Sequence, residues 1–103
     1  MTKEEKRKFD VMAKIVKAMS HPTRLFIVDK LREREHCVCE LTEMIGSDIS
    51  TVSRHLAVLR NAGIICDEKV KNNVFYSLRC LCVIDFFQCV VNVIKAQHDD
   101  VQL

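Results

Sequence analysis

Most of what this sequence lacks is catalytic equipment. Its six cysteines form no C-x-x-C pair, no paired carboxylates stand near a histidine, and two glycines in 103 residues make no glycine-rich phosphate loop. A thiol oxidoreductase or metal-dependent hydrolase is therefore disfavoured, and the chain reads as a non-enzyme. No run of 18 apolar residues is present, and the charged start Lys3-Glu4-Glu5-Lys6-Arg7-Lys8 lacks a signal peptide's apolar region. A cytoplasmic protein with no membrane partner is expected, its cysteines (37, 39, 66, 80, 82 and 89) mostly reduced thiols. The net charge of +2 is too small for a histone-like binder. Any affinity for DNA must come from local patches and from doubling the charge in a dimer. No repeat, low-complexity stretch or second domain is visible, so residues 1–103 read as one domain.

Apolar residues, by contrast, are abundant. They make up 49% of the chain, which is high for so short a monomer and points to pairing. The organising stretch is ELTEMIGSDISTVSRHLAVLRNAGII, residues 40–65. A short helical pattern, Glu40 to Ile45, stops at Gly46, and after Ser47-Asp48-Ile49 a second helix runs from about Ser50 to Asn61, closed by Gly63. Ile49, Val52, Leu56 and Leu59 are spaced to share one side of that helix. The opposite side carries Ser50, Arg54, Ala57 and Asn61, flanked by Thr51 and Ser53, with no carboxylate after Asp48. Small hydroxyls around one arginine suit close approach to a nucleic-acid groove, with Ser and Thr for phosphates and base edges and Arg for guanine. Two helices joined by a glycine-containing turn predict a helix-turn-helix at about 40–62.

An amphipathic helix is predicted at about 4–19, with Phe9, Met12, Val16 and Met19 in one stripe and Ile15 beside it. Pro22 suits the first turn of the next helix, Thr23 to about Arg34, which should bury Leu25, Phe26, Val28 and Leu31. Glu35 to Cys39 reads as a joint. After Gly63 the period changes: Ile64 to Val70 and Val74 to Arg79 are strand-like around the polar turn Lys71-Asn72-Asn73, a β-hairpin at about 64–79. As a wing beside the reading helix it would present Lys69 and Lys71 to flanking phosphate or minor groove. The last helix, about 82–97, is apolar nearly all round, leaving only Asp85, Gln88, Asn92 and Lys95 as a polar stripe. Burial on two sides follows, most simply against a second copy together with the first helix. The fold class is thus mainly α with a β-hairpin wing, in the order α-α-α-α-β-β-α. The tail from His98-Asp99-Asp100 is expected to fray.

The SHPTR lead-in, STVSRHLAVLRNAGII and VFYSL together resemble the ArsR/SmtB winged-helix repressors over residues 10–97, and Cys37-Val38-Cys39-Glu40-Leu41 is similar to the ELCVCDL metal box of arsenite- and cadmium/lead-responsive members. That resemblance implies a metal-free homodimer bound to double-stranded operator DNA and released by an inducer. It assigns base contact to Ser50, Thr51, Ser53 and Arg54, with His55 close by. Relatives often carry Gln where Ile49 stands, which implies a different operator.

Two residues apart in a regular helix, Cys37 and Cys39 would diverge by about 200°. At a helix start, or in a segment that unwinds, both could ligate one ion, and doing so would disturb the residues leading to the reading helix. Soft thiolates select As(III) or Sb(III), Cd(II), Pb(II), Zn(II) or Cu(I) over magnesium and calcium. Trigonal As(III) wants three sulfurs; relatives that supply a third do so where Thr42 stands here. Cys66, Cys80, Cys82 and Cys89 leave a third ligand or a second site open. Cys80 and Cys82 fall where zinc-sensing relatives carry Asp-x-His, but their other two ligands align with Val93 and Ala96, which cannot coordinate a metal. Cys66 reads as structural, His21 as a cap or polar turn residue, and His36 as an auxiliary ligand candidate. His55, flanking the reading face, reads as a phosphate contact rather than a ligand. The leading expectation is a repressor released by arsenite or antimonite; the alternative is a thiol redox or persulfide switch on the same fold.

Overall fold

The computed structural model describes residues 1–98. Helix α1, Lys3–Met19, starts from a reciprocal cap: Glu5 N–H donates to Thr2 Oγ1 at 3.1 Å and Thr2 N–H to Glu5 Oε1 at 2.9 Å. Helix α2, Pro22–Glu33, begins at His21, whose Nδ1 accepts the Thr23 N–H at 3.1 Å, with Pro22 in the first turn. Of the two roles open to His21, cap or polar turn residue, the structure shows the cap. Strand β1, His36–Cys37, and helix α3, Val38–Ile45, follow, then helix α4, Ile49–Asn61. Strands β2, Ile65–Val70, and β3, Asn73–Leu78, form the hairpin, and helix α5, Val83–Gln97, ends the described fold.

The expected order holds with one addition. Residues 36 and 37, anticipated as part of a joint, pair antiparallel with β3, His36 opposite Tyr76 and Cys37 opposite Phe75. The sheet order is therefore β1-β3-β2. Two residues are too few to show an alternation, so this strand is created by the free edge of β3 rather than by its own pattern. The hairpin turn is also tighter than expected: Asn73 already pairs with Val70, leaving Lys71-Asn72 as the turn, and Lys71 takes φ 58°.

The core gathers Ile27, Val28 and Leu31 of α2, Leu41 of α3, and Val52, Leu56 and Leu59 of α4 over Ile64 and Ile65. Ala18 and Met19 close it from the end of α1. Two burial expectations need correction. Leu25 is exposed and Ile27 takes its place, because the α2 surface facing α4 is set by Ile27, Val28 and Leu31. Ile49 is 52% exposed, since it stands in the first turn of α4, beyond the edge of the core.

No residue of α5 is fully buried: Val83 and Phe87 rest against the core, while Phe86, Val90 and Val93 face outward. On α1, Phe9, Met12, Ile15 and Val16 are likewise exposed. No helix is long and apolar enough to cross a membrane among the described residues. The expectation about Asp99-Asp100 lies outside them.

Candidate nucleic-acid interface and thiol sites

The turn between α3 and α4 is built from two local devices. Gly46 ends α3 in the left-handed region (φ 79°), its N–H donating to Thr42 O at 2.9 Å. Asp48 then caps α4: its carboxylate accepts the Thr51 N–H at 3.3 Å and the Thr51 hydroxyl at 2.6 Å. Those hydrogen bonds, the hydroxyl's foremost, hold the Asp48 carboxyl below its usual value. Arg54 Nη2 donates in turn to Thr51 Oγ1 at 3.4 Å. The chain Asp48–Thr51–Arg54 thereby lays the guanidinium along the helix instead of leaving it to swing in solvent.

Ser50, Ser53 and Arg54 are exposed on one face, with Thr51 half-buried at its margin by these bonds. His55 departs from this face. Its ring turns toward α2, 4.4 Å from the His21 ring, and its Nδ1 accepts from Arg24 Nη1 at 3.2 Å. Burial, followed by the charges of His21, Arg24 and Arg54, lowers its pKa. Lys69 and Lys71 stand exposed on the wing, and neither forms an ion pair among the described residues.

The first cysteine pair straddles a change of conformation. Cys37 has extended backbone (φ −80°, ψ 162°) as the residue capping α3, and Cys39 lies exposed in the first turn. This is the helix-start arrangement under which two such sulfurs are not forced apart. Glu40, in the same turn, accepts the Cys37 N–H at 3.3 Å and the Arg34 Nη2 at 2.7 Å. Arg34 foremost, then the Cys37 N–H, brings the Glu40 carboxyl down to about 2. His36 is buried, with no hydrogen-bond partner on either ring nitrogen and Nδ1 3.5 Å from Glu40 Oε2. Sequence reasoning placed His36 only as an auxiliary ligand, and passed over Arg34 and Glu40. No three His, Cys, Asp or Glu side chains gather as a metal site among the described residues. Two sulfurs at a helix start fit a soft ion as far as they go, and a third donor must come from elsewhere.

Cys80 and Cys82 lie exposed between β3 and α5. The side chain and then the backbone of Cys82 draw the Cys80 pKa down, and Cys80 followed by burial raises that of Cys82. Cys89 is exposed on α5, two turns from Cys82. Cys66 contacts Ser77 across the hairpin, Sγ to Oγ 3.2 Å, in keeping with a structural role.

A family described as bacterial regulatory protein, arsR family, matches residues 21–66. The biofilm growth-associated repressor of Xylella fastidiosa is 38% identical over 79 residues, 76% of this chain and 69% of that protein. The cadmium resistance transcriptional regulatory protein CadC homolog of Staphylococcus aureus is 43% identical over 68 residues, 65% of this chain and 56% of that one. Among solved structures, the homodimeric winged helix-turn-helix DNA-binding domain of a possible ArsR-family regulator from Mycobacterium bovis superposes with a TM-score of 0.84 at 21% identity, covering 100% of this chain and 96% of that domain.

Proposed function

Because the chain belongs to the arsR family of bacterial regulatory proteins, we propose that it is a homodimeric repressor that leaves its operator when a thiophilic ion binds Cys37 and Cys39. Ser50, Thr51, Ser53 and Arg54 read base edges in the major groove, and Lys69 and Lys71 touch the flanking backbone. His55 serves beside this face rather than on it. The Xylella relative is a repressor by name, which supports that sense of regulation.

One observation carries the sensor assignment. Cys37 and Cys39 stand on either side of the strand-to-helix change that leads into the helix-turn-helix, so their ligation acts on the base of the reading element. Leu41 of α3 is buried in one core with Val52 and Leu56 of α4, so a displaced α3 carries α4 with it. As(III) or Sb(III) is the inducer we favour, with Cd(II), Pb(II) and Zn(II) as other thiophilic candidates. A relative named for cadmium resistance supports the choice of a soft ion.

The test uses a duplex selected from a random library by the untreated protein. Titration of that complex with arsenite, cadmium and zinc should release the wild type. Cys37→Ser/Cys39→Ser should bind equally well and stay bound. Normal release of the double variant would refute the assignment. Arg54→Ala should lose the selected duplex while remaining folded; unchanged affinity would remove α4 as the reading helix.

A second reading rests on the exposure of three free thiols at and near the start of α5, Cys80, Cys82 and Cys89. Here an oxidant or persulfide acts on the exposed cysteines, Cys80, Cys82 and Cys89, and arsenite does nothing. Retention under arsenite with release by persulfide would select it.

A further inference from the structure

Helices α2 and α4 meet at three nitrogen-bearing side chains that base reading leaves unused. His21 Nδ1 accepts the Thr23 N–H at 3.1 Å, and His55 Nδ1 accepts from Arg24 Nη1 at 3.2 Å. With both Nδ1 atoms committed as acceptors, each neutral ring carries its proton on Nε2, a tautomer assigned from those two bonds. The rings lie 4.4 Å apart at 44°. Arg24 is half-buried, its Nε has no hydrogen-bond partner, and it forms no ion pair with a carboxylate among the described residues. Two ring N–H donors and a fixed positive charge therefore share one corner with no acid to answer them. A partly desolvated guanidinium without an anion is a costly arrangement for stability alone.

We propose that His21, Arg24 and His55 form a subsite for a single phosphodiester group of the DNA backbone. The proposal rests on the DNA-binding reading above and adds a contact from α2, which that reading left out. The donor set suits the ligand: a guanidinium and imidazole N–H groups bind phosphate oxygens by charge-assisted hydrogen bonds. The location suits it too. His55 follows Arg54 and lies about 100° further round α4, on the flank between the groove-facing side and the core. A phosphate held there fixes the register of the helix, while Ser50, Ser53 and Arg54 supply sequence preference.

Proton linkage follows from the same surroundings. His21 and Arg24 of α2 and Arg54 of α4 bear on His55, and no carboxylate contributes. In the free protein burial and these charges oppose the imidazolium; an arriving phosphate favours it. The added proton goes on His55 Nδ1, which ends the bond from Arg24 Nη1 and frees that N–H for the phosphate. Binding DNA thus takes up a proton, and affinity rises as pH falls from about 8 to about 6.

The experiment uses the full chain and the duplex selected from a random library. Affinity is measured against salt and pH for the wild type, His55→Gln and Arg24→Gln, on the native duplex and on copies with one neutral methylphosphonate at a time. Losing one phosphate contact should lower the salt slope of Arg24→Gln by about one and weaken binding on the order of tenfold. One methylphosphonate position should weaken the wild type and leave Arg24→Gln indifferent. His55→Gln should lose most of the pH dependence. Equal salt slopes, or methylphosphonate penalties identical in wild type and Arg24→Gln, would overturn the subsite while leaving the DNA reading intact. Failure of the wild type to select any duplex would overturn both.

If Arg24→Gln does not fold, judged by circular dichroism, the wild type carries the test. A flanking phosphate whose neutralisation flattens the pH profile supports the subsite, and its absence refutes it. Inorganic phosphate is titrated separately into DNA-free protein. A shift of the His55 ring resonance with inorganic phosphate, and none with the duplex, would mark a free-anion site and refute the backbone assignment.

Discussion

Glu40 ties together three parts of the α3 start: the Arg34 guanidinium, the Cys37 N–H and, at 3.5 Å, the His36 ring. Its carboxyl is lowered from 4.5 to about 2 on folding, so its stabilisation is full above about pH 4.5 and is lost as pH falls through about 2. Wild type should therefore exceed Glu40→Gln in thermal stability at neutral pH, and the gap should close as acid is added across that window. A gap independent of pH would show that shape, and not charge, matters at this position. Deeper in, Leu56 is fully buried among side chains of α2, α3 and β2. Leu56→Ala should cost roughly 2–5 kcal/mol in denaturant unfolding, because a close-packed core refills such a void only in part. Both residues were quoted from the sequence, yet only Leu56 announced its role. Periodicity marks a buried leucine, whereas the partners of Glu40 lie on a preceding helix and strand.

At the scale of elements, the wing shows how a turn can hold a side chain out at a conformational cost. Lys71 sits at φ 58°, where an L-residue other than glycine is strained. Lys71→Gly should stabilise the fold by up to about 1 kcal/mol, read by thermal melting. If Lys71 touches a phosphate, the same variant should also bind DNA more weakly, with a salt slope reduced by about one. More stability with unchanged DNA binding would leave Lys71 a purely structural turn residue. The hairpin and its basic tip were legible from the shift in period after Gly63. Strand β1 was not, since it exists only because β3 offers a second edge.

For the whole molecule, the exposed apolar side chains of α1 and α5 are where the proposed dimer is tested. Phe9, Met12, Ile15 and Val16 on α1, with Phe86, Val90 and Val93 on α5, are exposed in the single chain, and apolar side chains grouped on a helix face suit an interface. Covering them with a second copy would also double the net charge of +2 per chain, which would favour the proposed binding to DNA. Ile15→Glu/Phe86→Glu should yield a folded monomer by sedimentation, with its affinity for the selected duplex lost. A variant that remains dimeric would move the interface elsewhere.

By itself the sequence determined whatever is local. Helix periods, the first-turn proline at Pro22 and the glycine stop at Gly46 all follow from neighbours within a turn or two of chain. Resemblance over the same residues carried the fold and the family. Tertiary structure alone decided what depends on contacts between distant segments. These are the exchange of Leu25 for Ile27 in the core, the strand at His36–Cys37, the burial of the His36 ring, and the turn of His55 away from the exposed face of Ser50, Ser53 and Arg54 toward His21 and Arg24. A side chain at the margin of a helix can face either way at nearly equal local cost, and the helix packed beside it selects the direction.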